Sequence, residues 1–206
     1  MISIVNYGMG NIRSVQSALS FLGVENRVAV TAEEISTSDK LILPGVGSFR
    51  QAMENIRERG LLEPLNHTVT ELGVPILGIC LGMQLLADSG DEDGPSAGLG
   101  WIPGTVKRFQ FPDSSLKIPH VGFNSVEFDP LGSALFRGLG ASSDFYFVHS
   151  YRLVTDSPHW VTAWSEYGER FGAAVQKDSV FGTQFHPEKS QSNGLKVLRN
   201  FAGLKL

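Results

Sequence analysis

A single cysteine, Cys80, among 206 residues leaves no internal disulfide to form, so the fold must rest on its buried core. The length suffices for that, since chains of this size bury about 70% of the surface their unfolded state exposes. A basic excess is missing too: 17 Lys and Arg stand against 21 Asp and Glu, for a formal charge of −4. No positive field is therefore available for a phosphate backbone, and nucleic acid is not an expected partner. Long hydrophobic runs are absent as well. The longest, residues 74–87, is broken by Gly78, Gly82 and Gln84 and falls short of the roughly 20 apolar residues a spanning helix needs, so no membrane association is expected. No basic segment or cleavage signature opens the chain, which makes the cytoplasm its expected location. Asn66-His67-Thr68 has the form of a glycosylation triplet but carries no weight in that compartment. With no internal repeat, low-complexity tract or marked linker, residues 1–206 are expected to form a single domain.

What is present alternates. Residues 2–7 form a β-rich run, and Gly8-Met9-Gly10 turns into a segment whose Ile12, Val15, Leu19 and Leu22 recur at helical spacing before Gly23. Residues 24–30 read as a second strand, Thr31 with Glu34 as a capping box, and residues 40–43 as a third strand ending at Pro44-Gly45-Val46-Gly47. Ser48 is expected to cap a helix carrying Phe49, Ala52, Met53 and Ile56, and Leu62, Leu65, Val69 and Leu72 mark another. Residues 74–79 are almost wholly apolar, as strands buried on both faces of a parallel sheet are. The fold class this predicts is α/β, a doubly wound and mostly parallel central sheet flanked by helices. After about residue 100 the rhythm shortens. Residues 105–109, 125–128, 144–148, 160–165, 171–176 and 180–185 suggest antiparallel strands, with a hairpin turning at Tyr167-Gly168 and several of them extending the same sheet. Residues 192–204 read as a closing helix.

Two clusters carry chemistry. Cys80 lies in Gly78-Ile79-Cys80-Leu81-Gly82, between the most apolar strand and a helical run at 83–87. A nucleophile flanked by glycines on a strand-to-helix turn is thrust out at the carboxyl edge of the sheet, and a helix N-terminus behind it favours the thiolate. The alternative is a buried cysteine acting as a small hydrophobe. Gln184-Phe185-His186-Pro187-Glu188 ends another strand-like run, and in extended backbone residues two apart point the same way. Glu188 can therefore orient the His186 imidazole and leave its other nitrogen free for a thiol, a Cys-His-Glu order of the triad arrangement, although a surface pair has the same spacing. Acyl transfer also needs oxyanion donors. Gly45, Val46 and Gly47 follow the third strand at the same edge, and the Leu81 amide stands one residue past the cysteine.

G-I-C-L-G-M-Q at 78–84 with H-P-E at 186–188 resembles the class I (triad) glutamine amidotransferases. P-G-V-G at 44–47, N-Y-G-M-G-N at 6–11, Y-F-V-H-S-Y at 146–151 and H-P-E-K-S at 186–190 resemble one branch of that class, the glutaminase subunits of imidazole glycerol phosphate synthases. The likeness runs from end to end. It implies that Cys80 is the nucleophile, His186 the general base and acid, and Glu188 its orienting carboxylate. It further implies glutamine contacts at Gln84, at the backbone around Ser150 and Tyr151, and at Glu92, the last toward the α-ammonium. The implied partner is a (β/α)8-barrel cyclase in a heterodimer, which receives ammonia and acts on a phosphorylated ribulosyl aminoimidazole intermediate of histidine synthesis. Asn11 and Lys189 match positions near that interface. Phe123 stands where the family often has Trp, so an aromatic is retained there.

Other readings account for less. Gly8-Met9-Gly10 invites a dinucleotide site, but Arg13 replaces the third glycine and no acidic residue ends the second strand. His67, His120, His149, His159 and His186 are five imidazoles, none paired with another ligand at zinc-like spacing. His67 and His159 are expected in solvated or structural roles, and no metal or cofactor is called for. Within the class, a glutaminase serving pyridoxal phosphate synthesis differs in its oxyanion loop, and a catalytically silent subunit would not need an intact triad.

Overall fold

The computed structural model describes residues 1–111, 116–129 and 132–205. Its first half follows the predicted alternation: β1 (Ile2–Val5), α1 (Ile12–Phe21), β2 (Asn26–Ala29), α2 (Ala32–Ser36), β3 (Lys40–Gly45), α3 (Phe49–Glu58), α4 (Leu62–Asn66), β4 (Ile76–Cys80) and α5 (Leu81–Leu85). The capping box forms, with Thr31 Oγ1 accepting from the Glu34 amide and the Glu34 carboxylate accepting from the Thr31 amide. Ser48 holds the N-cap position of α3 but makes no side-chain bond there. The Phe49 amide, at the first helical position, donates to the carboxylate of Glu92, 43 residues along the chain, at 3.1 Å. The helix expected over 62–72 divides into α4 and a π-helical turn, His67–Glu71. The run expected at 83–87 starts earlier, at Leu81, and stops at Leu85.

The second half contributes β5 (Ala87–Gly90), β6 (Ser96–Ala97), β7 (Ile102–Arg108), β8 (His120–Phe128), β9 (Ser142–His149), β10 (Tyr151–Thr155), β11 (Val161–Glu166), β12 (Arg170–Lys177), β13 (Val180–Thr183) and α6 (Gln191–Ala202). One nine-stranded sheet runs β2-β1-β3-β4-β13-β12-β11-β8-β9, parallel as far as β13 and antiparallel beyond it. The hairpin at Tyr167-Gly168 joins β11 to β12, with Gly168 at φ 68°. Residues 105–109 do not extend that sheet. Most of them belong to β7, in a second sheet of order β10-β7-β5-β6.

Side chains alternate across a strand, and here both faces of the parallel strands are covered. Leu41, Leu43 and Ile76 pack with Phe49, Met53 and Ile56 of α3 and with Ile102, Val106 and Leu153 of the second sheet. On the opposite face Ile42, Leu77 and Ile79 meet Val15 and Leu19 of α1 and Val197, Leu198 and Phe201 of α6. Burial on both faces is why these strands read as continuous apolar runs.

β4 turns directly into α5, and α5 crosses the end of β3 at contact distance. A Cβ on Gly82 would lie 1.8 Å from the Leu43 carbonyl oxygen, and one on Gly78 would lie 2.6 Å from the Gly82 oxygen. Both obstacles are backbone, so neither can swing away. Gly82→Ala is expected to destabilise the fold by about 3 kcal/mol, as overpacking against a fixed neighbour does. Urea unfolding measures this, and a loss below about 1 kcal/mol would mean that the crossing relaxes easily.

Candidate active site

Cys80 is the last residue of β4, at φ 54° and ψ −108°. A side-chain-bearing residue at positive φ is strained by about 1–3 kcal/mol and persists only where its surroundings impose it. Here the two glycine crossings impose it. The strain turns Sγ away from the sheet, where it donates to the Val148 carbonyl at 3.7 Å and accepts from Gln184 Nε2 at 3.8 Å.

β13 lies beside β4, and the chain leaving it delivers His186 to the same edge. The His186 amide donates to the Tyr146 carbonyl at 2.9 Å. Ser190 completes the anchorage: its Oγ donates to the His186 carbonyl at 2.6 Å and accepts from the Tyr146 amide at 2.9 Å. The imidazole Nδ1 bonds Glu188 Oε1 at 2.9 Å, both side chains being 1% exposed. Nε2 is buried and closes no hydrogen bond of its own. Burial disfavours the imidazolium, but interaction with Cys80 and Glu188 outweighs it and raises the His186 pKa above its ordinary value. The imidazole is thus held by the Glu188 carboxylate at one nitrogen and interacts electrostatically with Cys80.

A cavity of about 310 Å³ opens beside them. Cys80, His186, Val46, Gly47 and Leu81 line it, as do all four residues expected to meet glutamine: Gln84, Glu92, Ser150 and Tyr151. Glu92 divides its duties between this wall and the N-terminus of α3; burial raises its pKa, while the Phe49 amide opposes that rise. The Ser150 and Tyr151 carbonyls are already engaged, by the Phe109 amide and by Gln84 Nε2 respectively. Gly45 stands opposite Cys80 in the β3–β4 register.

The 44–47 segment is braced from beneath by residues 6–11. The buried Tyr7 hydroxyl donates to the Pro44 carbonyl at 2.9 Å, and burial, reinforced by the nearby Cys80 charge, keeps it protonated well above the ordinary tyrosine range. A Cβ on Gly10 would lie 3.0 Å from the same carbonyl oxygen, and one on Gly47, at φ 107°, would lie 2.4 Å from the Met9 methyl. Of the residues expected at a partner surface, Phe123 is 51% exposed and packs edge-on against Tyr146, whose ring also receives the Lys189 ammonium at 5.7 Å. Asn11 stands at the N-cap of α1, a helix in contact with the 187–189 turn that carries Lys189.

Several residues went unassigned at the level of sequence. Ser190 and Gln184 are fully buried and tie His186 and Cys80 to their neighbours. Gln184 lies two residues before His186, at the in-facing period of an extended segment, which is the only signal that pointed to it. His120 and His149 face each other across β8 and β9, with Nδ1 of the first 3.1 Å from Nε2 of the second. The sequence placed both outside the strands, so their pairing was not visible. His67 and His159 are exposed, the former beside Glu71.

A strained cysteine at a parallel sheet's carboxyl edge, beside a carboxylate-oriented histidine, is the arrangement that thiol-dependent acyl transfer uses. Residues 3–203 match the family model described as glutamine amidotransferase class-I. The chain belongs to that family. It is 48% identical to the imidazole glycerol phosphate synthase subunit HisH of Moorella thermoacetica, over 98% of this chain and 94% of the relative. It is also 48% identical to the imidazole glycerol phosphate synthase subunit HisH 1 of Campylobacter jejuni, over 99% of this chain and 100% of that one. A crystal structure titled glutamine amidotransferase has the same fold, with a TM-score of 0.76 at 22% identity, covering 98% of this chain and 99% of that one.

The histidine pair has a consequence for stability. Burial lowers the pKa of His120 to about 4. Burial lowers that of His149 to about 3, aided by the His120 and His186 charges and opposed by its bond to the Tyr151 carbonyl. Below the ordinary imidazole range the unfolded chain therefore binds protons that the folded chain refuses, so stability falls as pH falls toward 4. Each imidazole should withdraw about 2 kcal/mol between about pH 7 and about pH 5. Urea unfolding at the two pH values checks this, and His120→Phe is expected to remove about half of the loss. An unchanged pH dependence in that variant would show that the pair is not its source.

Proposed function

We propose that this chain is the glutaminase subunit of an imidazole glycerol phosphate synthase, a single unit over residues 1–206 working in the cytoplasm. It hydrolyses glutamine to glutamate and ammonia. The ammonia passes to a (β/α)8-barrel cyclase in a heterodimer, which makes imidazole glycerol phosphate and AICAR in histidine synthesis. The observation carrying this reading is Cys80 on its strained turn beside an imidazole held by Glu188, both lining a cavity that Gln84, Glu92, Ser150 and Tyr151 also line.

The steps follow from the groups. The Cys80 thiolate attacks the side-chain carboxamide carbon of glutamine. Charge developing on the carbonyl oxygen is met by the Leu81 amide and the peptides of Gly45, Val46 and Gly47. His186 gives its proton to the departing ammonia, leaving a thioester on Cys80. His186 then takes a proton from water, which attacks the thioester and releases glutamate. Glu188 holds the imidazole in one orientation and stabilises its charged form throughout. Gln84, Glu92 and the Ser150–Tyr151 backbone grip the amino-acid end. Asn11, Phe123 and Lys189 belong to the face that meets the cyclase, which supports turnover by settling the Val46–Gly47 peptide.

Cys80→Ala is expected to abolish glutamine-dependent synthesis by the complex while leaving ammonia-dependent synthesis intact, because ring closure resides on the partner. Assay of both nitrogen sources decides it; appreciable glutamine use by the variant would remove Cys80 from its role. Glu188→Gln should lower kcat by about 10³-fold or more, with KM for glutamine moving less than about threefold. Steady-state kinetics separates the two, and a raised KM at unchanged kcat would make Glu188 a binding residue instead.

A further inference from the structure

His120 does not line the cavity, yet it is joined to it by an unbroken series of hydrogen bonds whose direction is set at both ends. At one end His149 Nδ1 lies 2.9 Å from the Tyr151 carbonyl oxygen. A carbonyl can only accept, so Nδ1 carries the proton and Nε2 of the neutral ring is an acceptor. The His120 Nδ1, 3.1 Å away, must then donate to it. At the other end Asn124 Oδ1 accepts from the Ser125 amide at 2.8 Å and Nδ2 donates to the Glu166 carbonyl at 2.8 Å, which fixes the amide's orientation. Nδ2 therefore also donates to His120 Nε2, at 3.3 Å, and that nitrogen must accept. The two ends agree on one arrangement: both imidazoles neutral, both carrying their proton on Nδ1. A proton added to either ring would set two donors face to face. Phe147 and Tyr167 stack on His120 at 4.8 and 4.0 Å, and Phe109 and Phe171 each lie 5.3 Å from His149, so the pair is walled by apolar rings.

The series continues into the cavity wall. Gln84 Nε2 donates to the Tyr151 carbonyl at 2.8 Å and to Gln184 Oε1 at 3.1 Å, which uses both of its amide protons. Its Oε1 is the group left for a substrate donor. We propose that His120 is a positioning residue for glutamine: by donating to His149 it holds the Nδ1–H tautomer, and so fixes the Tyr151 carbonyl and the Gln84 amide that faces the substrate. This rests on the reading of the cavity as a glutamine site.

Without the His120 donor, His149 Nε2 is a buried acceptor with nothing to accept. The ring can regain a partner only by moving its proton to Nε2 and releasing the Tyr151 carbonyl, which loosens the cavity wall but leaves Cys80, His186 and Glu188 in place. The first test is long-range ¹H–¹⁵N correlation of the imidazoles in the Cys80→Ala protein, which cannot turn substrate over. At neutral pH both His120 and His149 should show neutral Nδ1–H tautomers, and titrated glutamine should shift the His120 nitrogens although they do not touch it. An Nε2–H or charged form at either ring, or His120 signals indifferent to glutamine that does shift His149, would overturn the proposal. The second test is kinetics of the complex with its cyclase. His120→Phe keeps the ring stacking without the donor and should raise KM for glutamine about 10-fold at a kcat within about threefold, while His120→Asn, which keeps a donor near Nδ1, recovers most of the loss. An unchanged KM in His120→Phe, or a fall in kcat alone, would also overturn it. Failure of the wild-type complex to hydrolyse glutamine would instead remove the glutamine reading, and the tautomer result would stand by itself.

Discussion

The backbone crossing of Gly82 over the Leu43 carbonyl is the contact from which the site is assembled. Any side chain there would push α5 off the end of β3, and the turn between β4 and α5 would open. Because it stays closed, Cys80 is held at φ 54° with its sulfur outside the sheet. The same closeness sets Gly45 opposite Cys80, so the 44–47 segment leaves β3 toward the cysteine. Residues 6–11 then press on that segment from the neighbouring strand, through the Tyr7 hydroxyl and the side-chain-free Gly10. Parallel strands bring three such carboxyl ends together, and crevices at those ends are where open α/β sheets bind their ligands.

Around that backbone frame the polar groups are sorted into those that are tied and those left open. Burying an imidazole and a carboxylate is costly unless each is bonded. His186 Nδ1 and Glu188 Oε1 meet that demand for each other, and Ser190 fastens the backbone between them. Among the described residues, His186 Nε2 and Glu188 Oε2 have no hydrogen-bond partner. A buried nitrogen left open adds nothing to stability, since buried polar groups are ordinarily bonded. The His120–His149 pair shows the opposite policy: every nitrogen is committed, the charge is suppressed, and the ring that reaches the cavity is fixed in place.

The early strands and helices were legible because their local signals agreed: alternating β and α periods, Thr31 with Glu34, and glycines at the ends. Cys80, His186 and Glu188 were legible for a similar reason, since each sits in a short segment whose neighbours explain it. The failures have a common cause. Ser48 has the chemistry of a helix cap but closes no cap bond, and the first amide of its helix is taken by Glu92 from a distant loop. The strand β10 and the second sheet around β7 are pairings between segments far apart in the chain. Periodicity, capping and turn chemistry belong to neighbours in sequence, and the sequence alone determined those: a parallel α/β core, a glycine-flanked cysteine and a histidine with its carboxylate two residues on. Which segments pair, and therefore which side chains meet, is set by long-range packing and register. Only the tertiary structure placed Gln184 against the sulfur, Ser190 beneath His186 and His120 against His149, because no local preference of a chain encodes a contact between strands until the sheet has chosen its order.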